Sequence, residues 1–456
     1  MKRLILTLWL LLPALSCGSG AIDRSGLLAS GPMLGYSTHR EVLIWVQTSR
    51  AASVQIRYWP EGKPALRRST NRVDTLPHDD FTARLLARRL QPGQRYQYEV
   101  RLNGGKARVD YPLRFQTQPL WKWRGDPPEF SLAIGSCAYV NEAEYDRPGQ
   151  PYGGGFEIFA NILRARPDLM LWLGDNTYLR EADWGSRDGI FYRYSHTRAL
   201  PEMQALLGNV HHYAIWDDHD YGPNNSDRSW VLKASALEAF RSFWGNPSYG
   251  LPSLPGVFTS FSWGDVDFFL LDGRWYRAPT DAPPERDKVM LGQGQLQWLI
   301  DALTSSRATF KIVAAGGQVL NPLPVHETFA RFPGERQRLL EAVQERRIEG
   351  LIFISGDRHF TELARLDRPG SYPLYDYTSS PLTSDTASPD VLQEENPLRV
   401  EGTLLAQRNF GILRFAGPMG QRILTLQALS TQGQVLWEHR IEARQLTYPE
   451  TDAESR

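Results

Sequence analysis

Cysteine is nearly absent: the 456 residues contain two, Cys17 and Cys137. Two thiols cannot build the disulfide framework of a small extracellular scaffold, and a chain this long can instead bury one large core and a smaller one. An excess of charge of one sign is missing as well. Lysine plus arginine and aspartate plus glutamate are each 51, so no global basic field favours a nucleic-acid partner. Long hydrophobic runs are confined to the first dozen residues, where Lys2 and Arg3 precede a mainly apolar stretch from Leu4 to Leu12 and then the small residues Ala14, Ser16 and Gly18. That stretch is too short to span a bilayer, so residues 1–20 read as an export signal rather than a membrane anchor. There is no internal repeat, heptad pattern or low-complexity tract.

Cys17 follows Ala14-Leu15-Ser16, which resembles a bacterial lipobox with Ala where Leu is usual. Acylation at Cys17, giving membrane attachment, and ordinary cleavage nearby are the two outcomes. Either leaves Cys137 without a partner in an exported chain. A lone buried thiol is ordinarily a small hydrophobe, but the position of this one, described below, favours a metal thiolate. The 14 Trp and 19 Tyr suit an aromatic-rich cleft, a carbohydrate-facing surface or plain core packing equally well.

Residues 25–118 alternate apolar and polar positions in short runs, such as Val42 to Val46, Ser53 to Tyr58 and Tyr96 to Leu102, broken at Pro60-Glu61-Gly62 and Gln91-Pro92-Gly93. This pattern predicts a β-sandwich of fibronectin or immunoglobulin type. It carries no cluster of chemical groups, and scaffolding or packing over a cleft is its expected role. A linker from Gln118 to Pro128 leads into a second domain, 126–445, where strand and helix patterns alternate. Helices are expected over Phe156 to Leu163, Val231 to Trp244, Gln293 to Leu303 and Glu335 to Arg346, with strands at Phe268 to Leu271 and Phe310 to Ala314. The result is an α/β layered sandwich with a mixed sheet. Runs at Gly411 to Phe415, Arg422 to Ala428 and Val435 to Ile441 read as closing antiparallel strands, and the last ten residues as a frayed end.

Four short motifs end apolar runs: Ile134-Gly135-Ser136-Cys137, Gly174-Asp175-Asn176-Thr177-Tyr178, Trp216-Asp217-Asp218-His219-Asp220 and Gly356-Asp357-Arg358-His359. Ligand sites in open α/β sheets lie beyond the carboxyl ends of strands, so the four tips are expected to converge. Thiolate, carboxylate, phenolate and imidazole together suit a transition metal beside a second, oxygen-loving cation. Asp175 can bridge two cations while Tyr178, three residues on, reaches one of them, and a phenolate favours trivalent iron. Three carboxylates and an imidazole in Asp217 to Asp220 repel one another unless cations neutralise them. Asp218 is the expected second-metal ligand, His219 the donor of a proton or hydrogen bond to a leaving oxygen, and Asn224 or Asn225 a neutral contact. His359 is assigned to iron and Asp357 to the other cation, provided the tight turn at Gly356 breaks the extended alternation between them.

With these motifs in this order, and Gln318 in Gly316-Gly317-Gln318-Val319, the sequence resembles the alkaline phosphatase D, or PhoD-like, branch of the calcineurin-like metallophosphoesterase superfamily. The resemblance covers most of the chain beyond the export signal. It implies a four-layer αββα catalytic domain and a cluster of ferric iron with calcium. Cys137, Asp175, Tyr178 and His359 would hold iron, while Asp175, Asp357 and Asp218 or Asn224 would hold calcium. Zinc or manganese is the alternative. This chain has Asp220-Tyr221 where the best-known members read Glu-Val, which leaves the calcium ligands less defined than those of iron.

The expected chemistry is in-line attack of a metal-bridging hydroxide on phosphorus, with charge on the phosphoryl oxygens neutralised by the cations. Arg274 and Arg358 are the candidates to clamp a phosphate oxygen. The expected activity is therefore hydrolysis of phosphomonoesters or phosphodiesters outside the cytoplasm, by a periplasmic, outer-membrane-associated or secreted protein. Alternatives are a phospholipase D-like diesterase acting on lipid or cell-wall polymers, a purple acid phosphatase-like enzyme, which Cys137 argues against, and a noncatalytic binding protein that retains metal. The walls of the cleft are expected at Val140 to Gly155 and Arg180 to Leu200.

Overall fold

Strands Phe130–Gly135, Leu169–Leu173 and His211–Ile215 are buried at every position, because parallel strands covered on both faces need apolar side chains on each side of the pleat. These three pair in parallel at the centre of a nine-stranded sheet in the computed structural model, which describes residues 22–23, 26–283 and 288–449. The export signal, Cys17 and residues 450–456 lie outside the described residues. No helix among the described residues is long and apolar enough to cross a membrane.

A second sheet of six strands runs in the order Thr259–Trp263, Val266–Leu270, Phe310–Ala314, Leu351–Ser355, Leu374–Thr378 and Glu362–Leu366. Its four inner strands are parallel, and its two edges are antiparallel. The sheets face one another across a core that includes Leu132, Ile134, Leu171, Phe268, Ile312 and Phe353. Helices Glu157–Arg164, Pro201–Leu207 and Lys233–Phe243 cover the outside of the first sheet, packing Phe159, Leu206 and Phe240 over Met170, Trp172 and Ala214. Helices Gly292–Ser305 and Pro333–Glu345 cover the second with Leu296, Leu299, Leu339 and Val343. Each such fully buried side chain contributes ~2 kcal/mol of transfer free energy. The layers are αββα, as expected.

The N-terminal region is a β-sandwich whose core joins Ile44, Leu85, Ile56, Tyr98 and Val100. Strand Arg95–Leu102 alternates exposed and buried positions, the period of two that made the region legible. One wing of the sandwich, Leu28–Ser37, Glu41–Thr48 and Thr82–Arg88, is not separate from the second domain. It extends the nine-stranded sheet, with Leu34 pairing in parallel with His211. The three C-terminal strands, Asn409–Ala416, Ile423–Ser430 and Val435–Glu442, close the opposite edge of that sheet.

The stretch from Arg180 to Leu200 departs from expectation. It holds a helix, Arg187–Arg198, rather than a loop wall. Its buried face includes Arg193 and Arg198, with Arg193 neutralised by Asp183 and Glu142, each at 2.7 Å. Two buried cations interrupt the apolar periodicity by which a helix is recognised.

Candidate metal centre

The polar tips converge at the carboxyl ends of the strands. Cys137 follows Phe130–Gly135, Asp175 and Tyr178 follow Leu169–Leu173, Asp217 to Asp220 follow His211–Ile215, and Asp357 and His359 follow Leu351–Ser355. Cys137 Sγ lies 3.7 Å from Asp175 Oδ2, which accepts a hydrogen bond from the Tyr178 hydroxyl at 3.3 Å. The same hydroxyl is 3.3 Å from His359 Nε2. Ligand atoms of Cys137, Asp175 and His359 fall within 4.8 Å of one another, as do those of Asp175, Asp218 and His219, and those of Asp217, Asp218, Glu327 and Asp357. Asp175 therefore belongs to two adjoining groups, as expected of a bridging carboxylate.

Backbone geometry sets this constellation apart from an ordinary acidic cluster. Cys137, Asp175, Asp357 and His359 have φ of 61°, 52°, 68° and 55°. A left-handed conformation costs a residue bearing Cβ ~1 kcal/mol or more, so strain is concentrated on four donors in one pocket. The expected turn at Gly356 resolves differently. Asp357 and His359 themselves take the left-handed conformation, while Gly356 is needed for close approach, since a Cβ there would lie 2.5 Å from Ser136 Cβ.

The electrostatics fit a cation site. Asp217 Oδ2 and Asp218 Oδ1 are buried without a hydrogen-bond partner among the described residues. Burial, followed by repulsion from Asp218 and Cys137, pushes the Asp175 carboxyl well above its usual range. Burial also pushes Asp357 up to about 7, with Asp217, Glu327 and Asp218 adding repulsion, and Cys137 up to about 12. Asp218 alone is held below the carboxylate range: burial works against it, but His219 and Arg274 outweigh that. Such a set is short of positive charge, and bound cations would supply it.

Above the cluster opens a cleft of about 680 Å³, lined by Asp175, Asp218, His219, Asn224, Asp357, Arg358 and His359 among others. Cys137 and Tyr178 lie beneath, at 0% and 4% exposure. His219 stacks on Tyr178 with ring centroids 4.3 Å apart, and its backbone N donates to Asp175 Oδ1 at 3.3 Å. Asn224 sits on the cleft wall beside Asn225, whose backbone N donates to Asp218 Oδ2 at 2.7 Å. Arg358 reaches the cleft with its guanidinium donating to Glu394 at 2.7 Å. Gln318 is buried behind it, with Oε1 3.4 Å from Arg358 Nη1.

Arg274 is corrected. It is 1% exposed, does not line the cleft, and donates from Nε to Asp217 at 2.5 Å and from both terminal nitrogens to Glu327. A guanidinium spent on buried carboxylates has no free face for a phosphate oxygen. The cleft walls also differ from expectation: of the two expected stretches only Tyr152 contributes, and the remaining walls come from residues 224–227, 279–281, 326–331 and 386–391.

Three other residues were not foreseen. Tyr152 places its hydroxyl 3.3 Å from His359 Nδ1. Ser380 Oγ donates to Cys137 Sγ at 3.1 Å and accepts from the His359 backbone N at 3.0 Å. Glu327 takes both Arg274 and Arg277. Only Ser380 had a sequence signal, a polar Ser379-Ser380-Pro381 directly after the strand Leu374–Thr378.

Two facing sheets with metal-ligand types gathered at their carboxyl ends define the metallophosphoesterase class. Within it, residues 132–416 match the PhoD-like phosphatase family, and the chain belongs to that family. Residues 25–119 match a domain of unknown function, DUF7800. Alkaline phosphatase D of Bacillus subtilis (strain 168) is 21% identical over 328 residues. The match covers 59% of this chain, which thus spans about half, 54%, of that relative's length. A solved structure of PhoD superposes with a TM-score of 0.73 at 16% identity, covering 95% of this chain and 94% of the other. Yellow lupin purple acid phosphatase PPD1 gives 0.66 at 14% identity, covering 94% and 79%. At these identities the likeness is one of fold.

Proposed function

We propose that this protein is an exported, metal-dependent phosphoric ester hydrolase acting on phosphomonoesters, phosphodiesters or both. The observation that carries this is the strained quartet of Cys137, Asp175, Asp357 and His359, whose donor atoms gather in one pocket with those of Asp217, Asp218, His219 and Glu327, an arrangement suited to holding ligand atoms toward cations. Export rests on the signal-like residues 1–20, with acylation of Cys17 as the proposed route of membrane attachment.

The ions proposed are ferric iron, held by Cys137, Asp175, Tyr178 and His359, and calcium, held by Asp175, Asp357 and Asp218 or Asn224, with zinc or manganese as the alternative. Bound there, such cations supply Lewis acidity that lowers the pKa of a water nucleophile and neutralises charge on the phosphoryl oxygens. The chain's own groups do the rest. His219, on the cleft wall and stacked on Tyr178, would give a proton or hydrogen bond to the leaving oxygen. Arg358 would contact a phosphoryl oxygen on exchanging its bond to Glu394. Arg274 would hold Asp217 and Glu327 in place. The thiol of Cys137, 3.7 Å from Asp175, favours this donor set over that of a purple acid phosphatase, which uses no thiolate.

The test is elemental analysis of the purified mature protein and of Cys137→Ala and Tyr178→Phe, with the visible absorption of tyrosinate bound to iron as a second readout. Iron with calcium, and iron diminished in both variants, is the expected result. Zinc or manganese would overturn the iron assignment but leave the hydrolase. Metal retained without turnover on either a monoester or a diester would establish the noncatalytic reading instead.

A further inference from the structure

At the end of the sheets opposite the metal centre, the linker between the domains makes a tight turn. Arg124 N and Gly125 N both donate to Trp121 O, at 2.9 and 3.2 Å. Trp123 at its tip is 95% exposed and has φ of 61°. An indole held in water by a left-handed backbone is a displayed side chain, not one that failed to find a core. It has apolar company. Asp126 Oδ1 accepts from Met419 N at 3.0 Å, so at most ~11 Å of extended chain separates Trp123 from the Met419 turn. Met419 is 58% exposed and Leu120 48%.

Gly420, next in the same turn, lines a depression of about 450 Å³ with Arg307, Lys311, Arg346, Arg347 and Arg444, against one acid, Glu349. Lys122 and Arg124 flank the indole in sequence. Arg346 and Arg444 pair with the exposed Asp301 and Glu442, surface pairs of small energy. Arg307 and Arg347 have no carboxylate partner among the described residues, whereas Lys311 is buried, its Nζ donating to the backbone oxygens of Ala308 and Glu349 at 3.1 and 2.8 Å. On a chain with zero net charge, four arginines to one acid in a single depression is a local choice of sign.

We propose that this face docks on an anionic lipid surface, Trp123 and Met419 entering at headgroup level while the arginine-lined depression takes the lipid phosphates. An indole with its polar N–H suits the membrane interface, and a basic cluster beside it is drawn to anionic headgroups. The charge of the depression selects this occupant over a second copy of the chain, whose matching surface would be equally basic. Docking is independent of acylation at Cys17. Because the metal centre lies at the other ends of the strands, the docked protein turns its cleft toward the aqueous phase. Its substrates are then drawn from solution rather than from the supporting bilayer.

Cosedimentation tests this with the chain lacking residues 1–20, so that no acyl group contributes. The probes are vesicles of phosphatidylglycerol and phosphatidylcholine in equal parts, and vesicles of phosphatidylcholine alone. Binding is expected to be at least ~tenfold tighter to the anionic vesicles and to weaken with salt. It should fall ~tenfold in Trp123→Ser/Met419→Ser and independently in Arg346→Glu/Arg347→Glu. Circular dichroism reports that each variant is folded, and turnover of p-nitrophenyl phosphate should match the parent. Equal binding to both vesicle types, or variants that bind as the parent does, would overturn the proposal. So would a dimer that the Trp123→Ser/Met419→Ser variant dissolves and that shows no affinity for vesicles.

Discussion

Replacing Arg274 by methionine removes the cation that sits among three buried carboxylates. Its Nε is 2.5 Å from Asp217, its terminal nitrogens reach Glu327, and Nη2 lies 3.8 Å from Asp218. At 1% exposure no water can take its place. Removing one partner of a buried ion pair costs ~3–5 kcal/mol, because the other charge is left unpaired. Glu327 keeps Arg277 at 2.9 Å, which puts the loss at the lower end. For a domain this large, with ~2 °C per kcal/mol, the thermal midpoint should fall by ~6 °C. Scanning calorimetry measures this on Arg274→Met and on Arg274→Met/Asp217→Asn. The double variant should recover part of the loss, since one orphaned carboxylate has been neutralised. Inhibition by orthophosphate serves as the control for substrate contact. A midpoint within about 1 °C of the parent, together with weakened phosphate inhibition, would show that Arg274 clamps phosphate and that its assignment to the carboxylates is mistaken.

Gly356→Ala places a Cβ 2.5 Å from Ser136 Cβ and 2.9 Å from Leu173 O. It should destabilise by ~1–3 kcal/mol and displace Asp357 and His359; parental metal content and thermal midpoint would contradict that. Tyr152→Phe deletes the hydroxyl 3.3 Å from His359 Nδ1 and should weaken metal retention against a chelator ~tenfold. The unfolding midpoint of the metal-free protein should not change. His212 is a neutral core histidine whose Nδ1 accepts from Trp172 Nε1 at 2.9 Å and whose Nε2 donates to Leu206 O at 3.2 Å. Burial lowers its pKa to about 3. The stability it contributes is therefore complete above the unfolded value of ~6.5 and is lost as pH falls toward the folded one, up to ~5 kcal/mol. His212→Gln should flatten the acid limb of stability against pH in urea titrations, and an unchanged slope would count against a buried neutral imidazole.

Much of this architecture is legible in the sequence because the physics is local. Leu169 to Leu173 is an unbroken apolar run because both faces of the strand are covered, and Asp175 is conspicuous because it ends that run. Arg95–Leu102 alternates because one face meets water. Four site tips could be read as convergent for the same reason. What was not legible depends on distant partners. Arg274 cannot be told from a phosphate-binding arginine until Asp217 and Glu327 are seen around it, the latter 53 residues away. The helix Arg187–Arg198 is concealed by arginines whose burial depends on Asp183 and Glu142. Tyr152 and Glu327 come from loops whose sequences carry no pattern, and only the fold brings them to the cleft.

The pairing of Leu34 with His211 bears on how this protein can be divided. Across the same seam the Tyr213 hydroxyl accepts a hydrogen bond from the Ser37 backbone N at 3.1 Å, and Gly35 O lies 2.9 Å from His211 Nδ1. A catalytic fragment begun at residue 126 would strip His211–Ile215 of its neighbour. A central strand with apolar side chains on both faces would become a raw edge, the kind of surface along which chains stack into aggregates. The sandwich of unknown function thus acts as the selvedge of the catalytic sheet, and poor solubility of a truncated enzyme would reflect that lost border rather than any fault in the active site.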